Sequence, residues 1–215
     1  MREEVLSLIE EEKIIVIVRG VEKEKLIPLA EAMYKGGIRL LEITYSQGGV
    51  PSDEEIADSI RLLSEHFKGR MLIGSGTTLT EKQVELTKNA GGTFIISPDV
   101  NVEVIKKTRE LSLVSSPGAL TPTEITTAHA AGADFVKLFP ITNLGVSYFK
   151  AVSAPLSAVK YLAFGGIDEN NMKEYLDAGI KGFGVGSNSV NKKMISANEF
   201  EKITELAKKY VEAVK

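Results

Sequence analysis

Short apolar runs alternate with amphipathic segments from one end of the chain to the other. The apolar runs are rich in Ile, Val and Leu and are apolar on both faces, which is typical of parallel strands covered by helices. The runs predict strands over residues 14–19, 39–44, 71–76, 93–98, 113–118, 135–140, 159–166 and 182–187. The segments between them predict helices over residues 22–36, 53–67, 80–90, 101–110, 121–131, 146–152, 168–178 and 196–213, and a further helix over 2–12 precedes the first strand.

Strict alternation of strand and helix implies parallel strands with right-handed crossovers. Eight such units in a chain of this length predict a (β/α)₈ TIM barrel, an α/β fold, here with an extra N-terminal helix. A doubly wound open sheet is the alternative. Thr80, Thr121 and Asp168 are the predicted helix N-caps. No Pro- or Ser-rich linker divides the chain, so we expect one catalytic domain over residues 1–215.

An internal repeat supports the barrel. The segments KGGIRLLEI, AGGTFIIS, AGADFVKLF and DAGIKGFGV each run from a helix end through glycine into a strand, and glycine just past a helix is a C-cap signal. Glu42, Ser97 and Lys137 each fall five residues after a glycine of this repeat. Because alternate barrel strands fill one interior layer, we expect Glu42 and Lys137 to point into the lumen near its C-terminal mouth.

Composition narrows the function. The 215 residues carry a net charge of −3, no cysteine and two histidines, so we expect neither a thiolate nor a typical zinc site, and no cofactor. No basic stripe indicates nucleic acid, and no apolar run approaches membrane-spanning length. The first residues lack the apolar core of a signal peptide. We therefore expect a cytoplasmic protein that binds a small molecule.

Lys137 lies inside an apolar strand, where desolvation lowers the pKa of an amine. A neutral amine attacks a carbonyl carbon to form a Schiff base, and a carboxylate such as that of Glu42 can move the required protons. The pair predicts class I aldolase chemistry, and Arg19 at the end of the first strand would lower the lysine pKa further. The alternatives are a structural Lys137–Glu42 ion pair and a surface role for Arg19.

Two glycine-rich turns, FGGID and GVGSNS, follow the seventh and eighth predicted strands. In many TIM barrels these loops, with the N-terminus of a short helix, hold a phosphate group. The candidate phosphate ligands are Gly165, Gly166, Gly186 and Ser187. Ordinary tight turns are the alternative.

The motifs GGIRLLEIT, GSGTTLT, FIISP, KLFP, FGGI and GVGS span nearly the whole chain. In that order they resemble motifs of the bacterial 2-keto-3-deoxy-6-phosphogluconate (KDPG) aldolases, a family that includes 4-hydroxy-2-oxoglutarate (KHG) and phosphogalactonate aldolases. The resemblance implies a homotrimeric class I aldolase that cleaves a phosphorylated keto acid to pyruvate and glyceraldehyde 3-phosphate. It assigns the Schiff base to Lys137 and acid/base catalysis to Glu42. It assigns substrate binding to Arg19, Thr77, Pro98, Gly165, Gly166, Gly186 and Ser187.

Three residues depart from the family pattern. Ser46 stands where many members have an arginine that can contact the substrate carboxylate, and serine offers no bidentate fork. Phe164 replaces a threonine before the Gly-Gly pair, which removes a hydroxyl donor. Asp99 replaces a glycine and would repel a nearby phosphate. A phosphosugar isomerase or epimerase and a non-catalytic binding module are therefore kept as alternatives.

Overall fold

The computed structural model describes residues 2–186 and 189–215. Its strands are β1 Ile14–Val18, β2 Leu40–Thr44, β3 Leu72–Gly76, β4 Phe94–Ile96, β5 Val114–Ser116, β6 Gly118–Ala119, β7 Val136–Leu138, β8 Tyr161–Phe164 and β9 Gly182–Val185. Its helices are α1 Arg2–Glu12, α2 Lys23–Lys35, α3 Asp53–His66, α4 Glu81–Asn89, α5 Val102–Glu110, α6 Pro122–Ala130, α7 Gly145–Ser153, α8 Met172–Ala178, α9 Lys192–Ser196 and α10 Phe200–Ala213.

The strands form one parallel sheet in the order β5-β4-β3-β2-β1-β9-β8-β7-β6. The two outermost strands, β5 and β6, are separated only by Pro117, and they pair with β4 and β7 respectively. The backbone nitrogen of Lys137 donates to the Pro117 carbonyl at 2.9 Å, which joins the two ends of the sheet. The (β/α)₈ barrel is thus confirmed, with its fifth strand split in two at a proline that lacks an N–H donor.

Side chains alternate between the lumen and the helices along each strand, as the period of two requires. The lumen is filled by Ile15, Leu40, Phe94, Ile96, Val114, Phe135, Leu162 and Phe164. Val5 and Ile9 of α1 join the same cluster, so this helix closes the N-terminal end of the barrel. The opposite faces of the strands, for example at Val16, Leu41 and Val136, pack against the surrounding helices.

The predicted facing is correct for Glu42 and Lys137 and wrong for Ser97. The first two side chains line a cavity inside the barrel. Ser97 lies on the other face of its strand, and its hydroxyl donates to the carbonyl of Thr78 at 2.7 Å.

The error has its cause in two adjacent glycines. Helix α4 ends before Gly91, whose φ of +85° matches the φ of +99° at Gly37 and +98° at Gly132 after their helices. The offset of five had been counted from Gly92, which has no such left-handed conformation. Counted from Gly91, it falls on Ile96, which does face the lumen.

The helix starts agree with the sequence except after β8. Thr80 and Thr121 cap α4 and α6 with their side chains, as predicted. Asp168 was expected to begin a helix, but α8 starts at Met172, and the Asp168 carboxylate instead accepts from the Asn170 nitrogen at 2.9 Å. The last predicted helix is two helices, α9 and α10. Over residues 2–186 and 189–215, no helix is long and apolar enough to cross a lipid bilayer.

Candidate active site

A cavity of about 190 Å³ opens at the C-terminal end of the barrel. It is lined by Ile17, Arg19, Glu42, Thr77, Pro98, Lys137, Phe139, Phe164, Gly165, Gly166, Ile167, Gly184 and Gly186. The structure thus brings the sequence-predicted site residues together in one place. Ser187 alone of them lies outside the described residues.

Lys137 occupies the middle of β7 and is 7% exposed. Burial lowers the pKa of its amine; the charge of Glu42 opposes this shift and that of Arg19 adds to it. Its Nζ lies 4.7 Å from the ring centre of Phe139 and 4.6 Å from that of Phe164. The apolar rings exclude water from the nitrogen, and their faces can still attract a cation formed there.

Glu42 occupies the middle of β2 and is 2% exposed. Burial raises the pKa of its carboxyl to about 7, against the opposing charges of Lys137 and Arg19. Its Oε2 has no hydrogen-bond partner, so the charged form is poorly stabilised. A carboxyl that titrates near neutral pH is suited both to accept and to donate a proton.

Gly76, at the end of β3, makes room for that carboxyl. A β-carbon at Gly76 would lie 2.2 Å from Oε1 of Glu42. Real β-carbons do not approach an oxygen so closely, so any side chain here would displace the carboxyl. The glycine is therefore required by the position of Glu42.

No hydrogen bond or ion pair joins Lys137 and Glu42, both of which belong to the described part of the chain. The alternative of a direct structural ion pair therefore lacks the contact that it requires. What the structure has instead is two ionisable groups buried in one cavity, with their pKa values displaced toward each other. Such perturbed groups in a cleft are typical of functional sites.

Arg19 and Thr77 face each other at the edge of the cavity. Nη2 of the exposed Arg19 donates to Oγ1 of Thr77 at 3.1 Å. Thr77 has a φ of +53°, a conformation that a β-branched residue rarely adopts and that costs about 1–3 kcal/mol. A guanidinium beside a hydroxyl offers the charge-assisted donors that suit a carboxylate.

Gly165 and Gly166 form a turn that only glycine fits easily. Their φ values are +89° and +77°, and a β-carbon at Gly166 would lie 2.1 Å from Oγ1 of Thr142. No helix begins at this turn, because α8 starts only at Met172. The expectation of a helix N-terminus behind the Gly-Gly turn is therefore wrong, and any anion here would depend on loop amides.

The three departures from the family pattern lie in different places. Asp99 is exposed and does not line the cavity. Phe164 does, and its ring fills the space left by Gly184, where a β-carbon would lie 1.9 Å away. Ser46 lines a neighbouring cavity of about 590 Å³ and donates to the carbonyl of Val50 at 2.8 Å.

Ile17, Phe139, Ile167 and Gly184 also line the cavity and were not predicted as site residues. For two of them the sequence carried a signal. Phe139 lies two residues after Lys137 and Ile17 two before Arg19, so each shares a strand face with a predicted site residue. Ile167 and Gly184 have no comparable signal.

Comparison with known proteins gives the family. The family model for KDPG and KHG aldolase matches residues 5–206. The 2-dehydro-3-deoxy-phosphogluconate aldolase of Haemophilus influenzae is 31% identical over 215 residues, covering 99% of this chain and 98% of that protein. A probable 2-dehydro-3-deoxy-6-phosphogalactonate aldolase of Rhizobium meliloti is 35% identical over 190 residues, covering 88% and 86%.

Solved structures agree with this assignment. KDPG aldolase from Legionella pneumophila, with pyruvate captured as a covalent carbinolamine intermediate, superposes with a TM-score of 0.84 at 29% identity, covering 94% of this chain and 96% of that one. A native KDPGal structure gives 0.83 at 30% identity, covering 93% of each chain. The chain therefore belongs to the KDPG and KHG aldolase family of class I lyases.

Proposed function

We propose that this chain cleaves 2-keto-3-deoxy-6-phosphogluconate to pyruvate and glyceraldehyde 3-phosphate through a Schiff base on Lys137. One observation carries the proposal: Lys137 and Glu42 are buried in one cavity without touching, and their pKa values are displaced toward neutrality. The relatives named as KDPG aldolases support the choice of substrate.

The first half of the reaction forms the imine. The neutral Nζ of Lys137 attacks the C2 carbonyl carbon, and the carbonyl electron pair moves to oxygen, which takes up a proton to give a carbinolamine. Glu42 in its acid form protonates the hydroxyl that leaves as water. The product is a protonated imine whose nitrogen lies against the rings of Phe139 and Phe164, where a positive charge is favoured.

The second half breaks the C3–C4 bond. The Glu42 carboxylate takes the proton of the C4 hydroxyl, a C4=O bond forms, and the C3–C4 electron pair moves toward the imine to give an enamine. The aldehyde then leaves. Protonation of C3 by Glu42 and addition of water to the imine release pyruvate and restore the free amine of Lys137.

Binding of the rest of the substrate falls to groups at the rim. Arg19 and Thr77, which hydrogen-bond each other at 3.1 Å, hold the substrate carboxylate, with Pro98 beside them in the cavity lining. The backbone amides at Gly165, Gly166 and Gly186 face the same cavity and hold the phosphate, with Ser187 as the family resemblance implies.

Reductive trapping tests the imine. Incubation with pyruvate, reduction with borohydride and digestion should give a pyruvate adduct on the peptide that contains Lys137. The Lys137→Met variant, treated in the same way, should give none. An adduct on another lysine, or no adduct in the wild type, would refute the Schiff-base proposal; a phosphosugar isomerase, an epimerase or a binding module would also give none.

The substrate class needs a second assay, in which pyruvate release is compared among KDPG, its phosphogalactonate counterpart and KHG. We expect each phosphorylated acid to exceed its dephosphorylated analogue in kcat/KM by at least about tenfold, or roughly 1.4 kcal/mol of transition-state binding. Ser187→Asp should remove that advantage and leave the pyruvate adduct intact. A wild-type preference for unphosphorylated acids would make KHG the better assignment.

The alternative substrate from the phosphogalactonate series has its own support. The Rhizobium meliloti relative, named a probable 2-dehydro-3-deoxy-6-phosphogalactonate aldolase, is 35% identical over its matched region. Faster pyruvate release from the phosphogalactonate acid than from KDPG would establish this alternative.

We also propose that the chain acts as one catalytic domain in a cytoplasmic homotrimer, as the family resemblance implies. A related structure, described as a protein cage designed by fusing symmetric oligomeric domains, supports a symmetric assembly. Sedimentation equilibrium should give three times the 23.3 kDa chain mass. A monomeric mass would contradict the trimer.

A further inference from the structure

We propose that a chain of four buried hydroxyls behind β3 positions Thr77 at the cavity, with Thr87 as its hub. The four residues, here called the hydroxyl chain, are Tyr45, Ser75, Thr78 and Thr87. The inference rests on the proposed binding of the substrate carboxylate by Thr77. None of the four lines the Lys137 cavity, so their effect on the reaction would be indirect.

Thr87 joins the members of the chain. Its Oγ1 lies 2.9 Å from Oγ of Ser75, 3.0 Å from the phenol oxygen of Tyr45 and 2.8 Å from the carbonyl of Gln83. Ser75 in turn lies 2.8 Å from Oγ1 of Thr78. Because Thr87 belongs to α4 and Ser75 to β3, the hydroxyl chain ties a helix to the strand that ends at the active-site turn.

The hydroxyl chain grips that turn on both sides of Thr77. The side chains of Ser75 and Thr78 meet at 2.8 Å across it, and Ser97 donates to the Thr78 carbonyl at 2.7 Å. Thr77 itself has a left-handed φ of +53°, which its branched side chain disfavours. Contacts on either side are therefore needed to keep Thr77 in the conformation that presents its hydroxyl to Arg19.

A side-chain amide fixes the next residue of the turn in the same way. Oε1 of Gln83 accepts from the backbone nitrogen of Leu79 at 2.8 Å, and its Nε2 donates to Asp53 at 3.0 Å. On the other side, the backbone nitrogen of Tyr45 donates to the Gly76 carbonyl at 2.8 Å. Burying so many polar groups is costly unless each has a partner, and here the partners converge on residues 75–79.

The chain offers a matched pair of variants for the test. Thr87→Val removes the hub hydroxyl with little change of shape. Thr108→Val is the control, because Thr108 is equally buried in α5 and its hydroxyl donates to the carbonyl four residues earlier, at Val104, at 2.7 Å. Both variants lose one helical hydroxyl contact, but only Thr87 reaches β3.

The readout is the concentration of pyruvate that half-saturates borohydride trapping on Lys137, together with the maximal trapping rate. We expect Thr87→Val to raise the half-saturating concentration about tenfold or more, and to change the maximal rate by less than about threefold, because binding rather than chemistry is disturbed. Thr108→Val should shift it less than about twofold at a similar loss of melting temperature. Thr87→Ser, which keeps the hydroxyl, should restore wild-type saturation.

Two further variants separate the possible failures. Thr78→Val removes the hydroxyl beside Thr77 and carries the same expectation, so a poorly folding Thr87→Val would not end the test. If Thr77→Val weakens pyruvate saturation but Thr87→Val and Thr78→Val behave like Thr108→Val, the positioning inference is overturned and the proposed function stands. If Thr77→Val also saturates normally, the carboxylate role of Thr77 and the inference built on it both fall. Absence of any wild-type adduct would instead refute the proposed function.

Discussion

The two ends of the barrel treat buried charge in opposite ways. At the N-terminal end, α1 covers the lumen with Val5 and Ile9. Asp134, whose side chain is only 7% exposed, pairs there with Arg2 and lies 2.8 Å from Nη1 of Arg109. The ionised group at this end is thus surrounded by partners, as stability requires of a buried charge.

At the C-terminal end the buried charges are left without such partners. Oε2 of Glu42 accepts no hydrogen bond, and Lys137 faces two aromatic rings. A fold that pairs its charge at one end is able to do so at the other, so the unpaired groups are retained at a cost in stability. Such a cost is characteristic of sites where pKa values are tuned for chemistry.

The largest difference between the ends should come from Lys137→Met. Loss of the nucleophile should lower the rate of pyruvate release by about 10⁴-fold or more. The melting temperature should stay the same or rise, because an apolar side chain of similar length replaces a buried amine. Steady-state kinetics and a thermal melt check both. Substantial remaining activity, or a large loss of stability, would mean that Lys137 is structural.

Glu42→Gln should have the next largest effect. The near-isosteric change keeps the fold but removes the acid/base, so turnover should slow by roughly 10²–10⁴. Exchange of the pyruvate methyl protons, followed by NMR, should slow as well. Glu10→Gln, which breaks the ion pair with Lys160 at the N-terminal end, is the control and should leave both rates unchanged. Wild-type rates in Glu42→Gln would remove this residue from the mechanism.

Asp134→Ala should give the reverse pattern at the N-terminal end. It leaves Arg2 and Arg109 without their shared carboxylate and the backbone nitrogen of Ser115 without its acceptor at 2.9 Å. We expect a loss of about 1–3 kcal/mol in the free energy of unfolding, measured by urea denaturation, with kcat/KM of the folded enzyme unchanged.

An exposed ion pair provides the control for Asp134→Ala. Asp58 pairs with Arg61 at 2.6 Å, and both side chains are about half exposed. Asp58→Ala should cost less than about 1 kcal/mol, as exposed pairs usually do. Equal losses from the two variants would show that the Asp134 cluster contributes no more than a surface pair.

Much of this molecule could be predicted from its sequence because the relevant signals are local. Apolar runs and glycines after helices gave the barrel, and the period of two placed Glu42 and Lys137 on the lumen face. The misplacement of Ser97 came from choosing between two adjacent glycines, which only the backbone conformation of Gly91 decides. Asp168 looked like an N-cap because its chemistry suits both a cap and the turn that it actually forms.

The hydroxyl chain illustrates what local patterns cannot give. Tyr45 and Thr87 lie in separate elements, and their contact at 3.0 Å exists only because α4 packs against β3. In the sequence, each looks like an ordinary residue at the border of a strand or helix. The split of the fifth strand at Pro117 is similar, since a single proline acquires its meaning only from the pairing of its neighbours with β4 and β7.

The smallest expected effect concerns Arg19 and the pH dependence. Burial raises the pKa of Glu42 from 4.5 to about 7, while the charges of Lys137 and Arg19 oppose that rise. Because C–C cleavage needs the carboxylate, kcat/KM should fall as pH drops through about 7, rather than near 4.5. Removing the Arg19 charge favours protonation, so Arg19→Gln should move this acid limb to higher pH. The shift should be below about one unit, because Arg19 is exposed and its charge is screened.

Profiles of kcat/KM between about pH 5 and 9 at two ionic strengths measure this shift. Added salt should shrink the difference between wild type and Arg19→Gln, since it already screens the exposed guanidinium. Arg61→Gln, which removes an exposed arginine paired with Asp58, should leave the limb in place. Arg19→Gln will also raise KM if Arg19 holds the substrate carboxylate, but a binding loss alone lowers kcat/KM evenly at every pH. A limb that moves to lower pH would show that the charge of Arg19 does not act on Glu42.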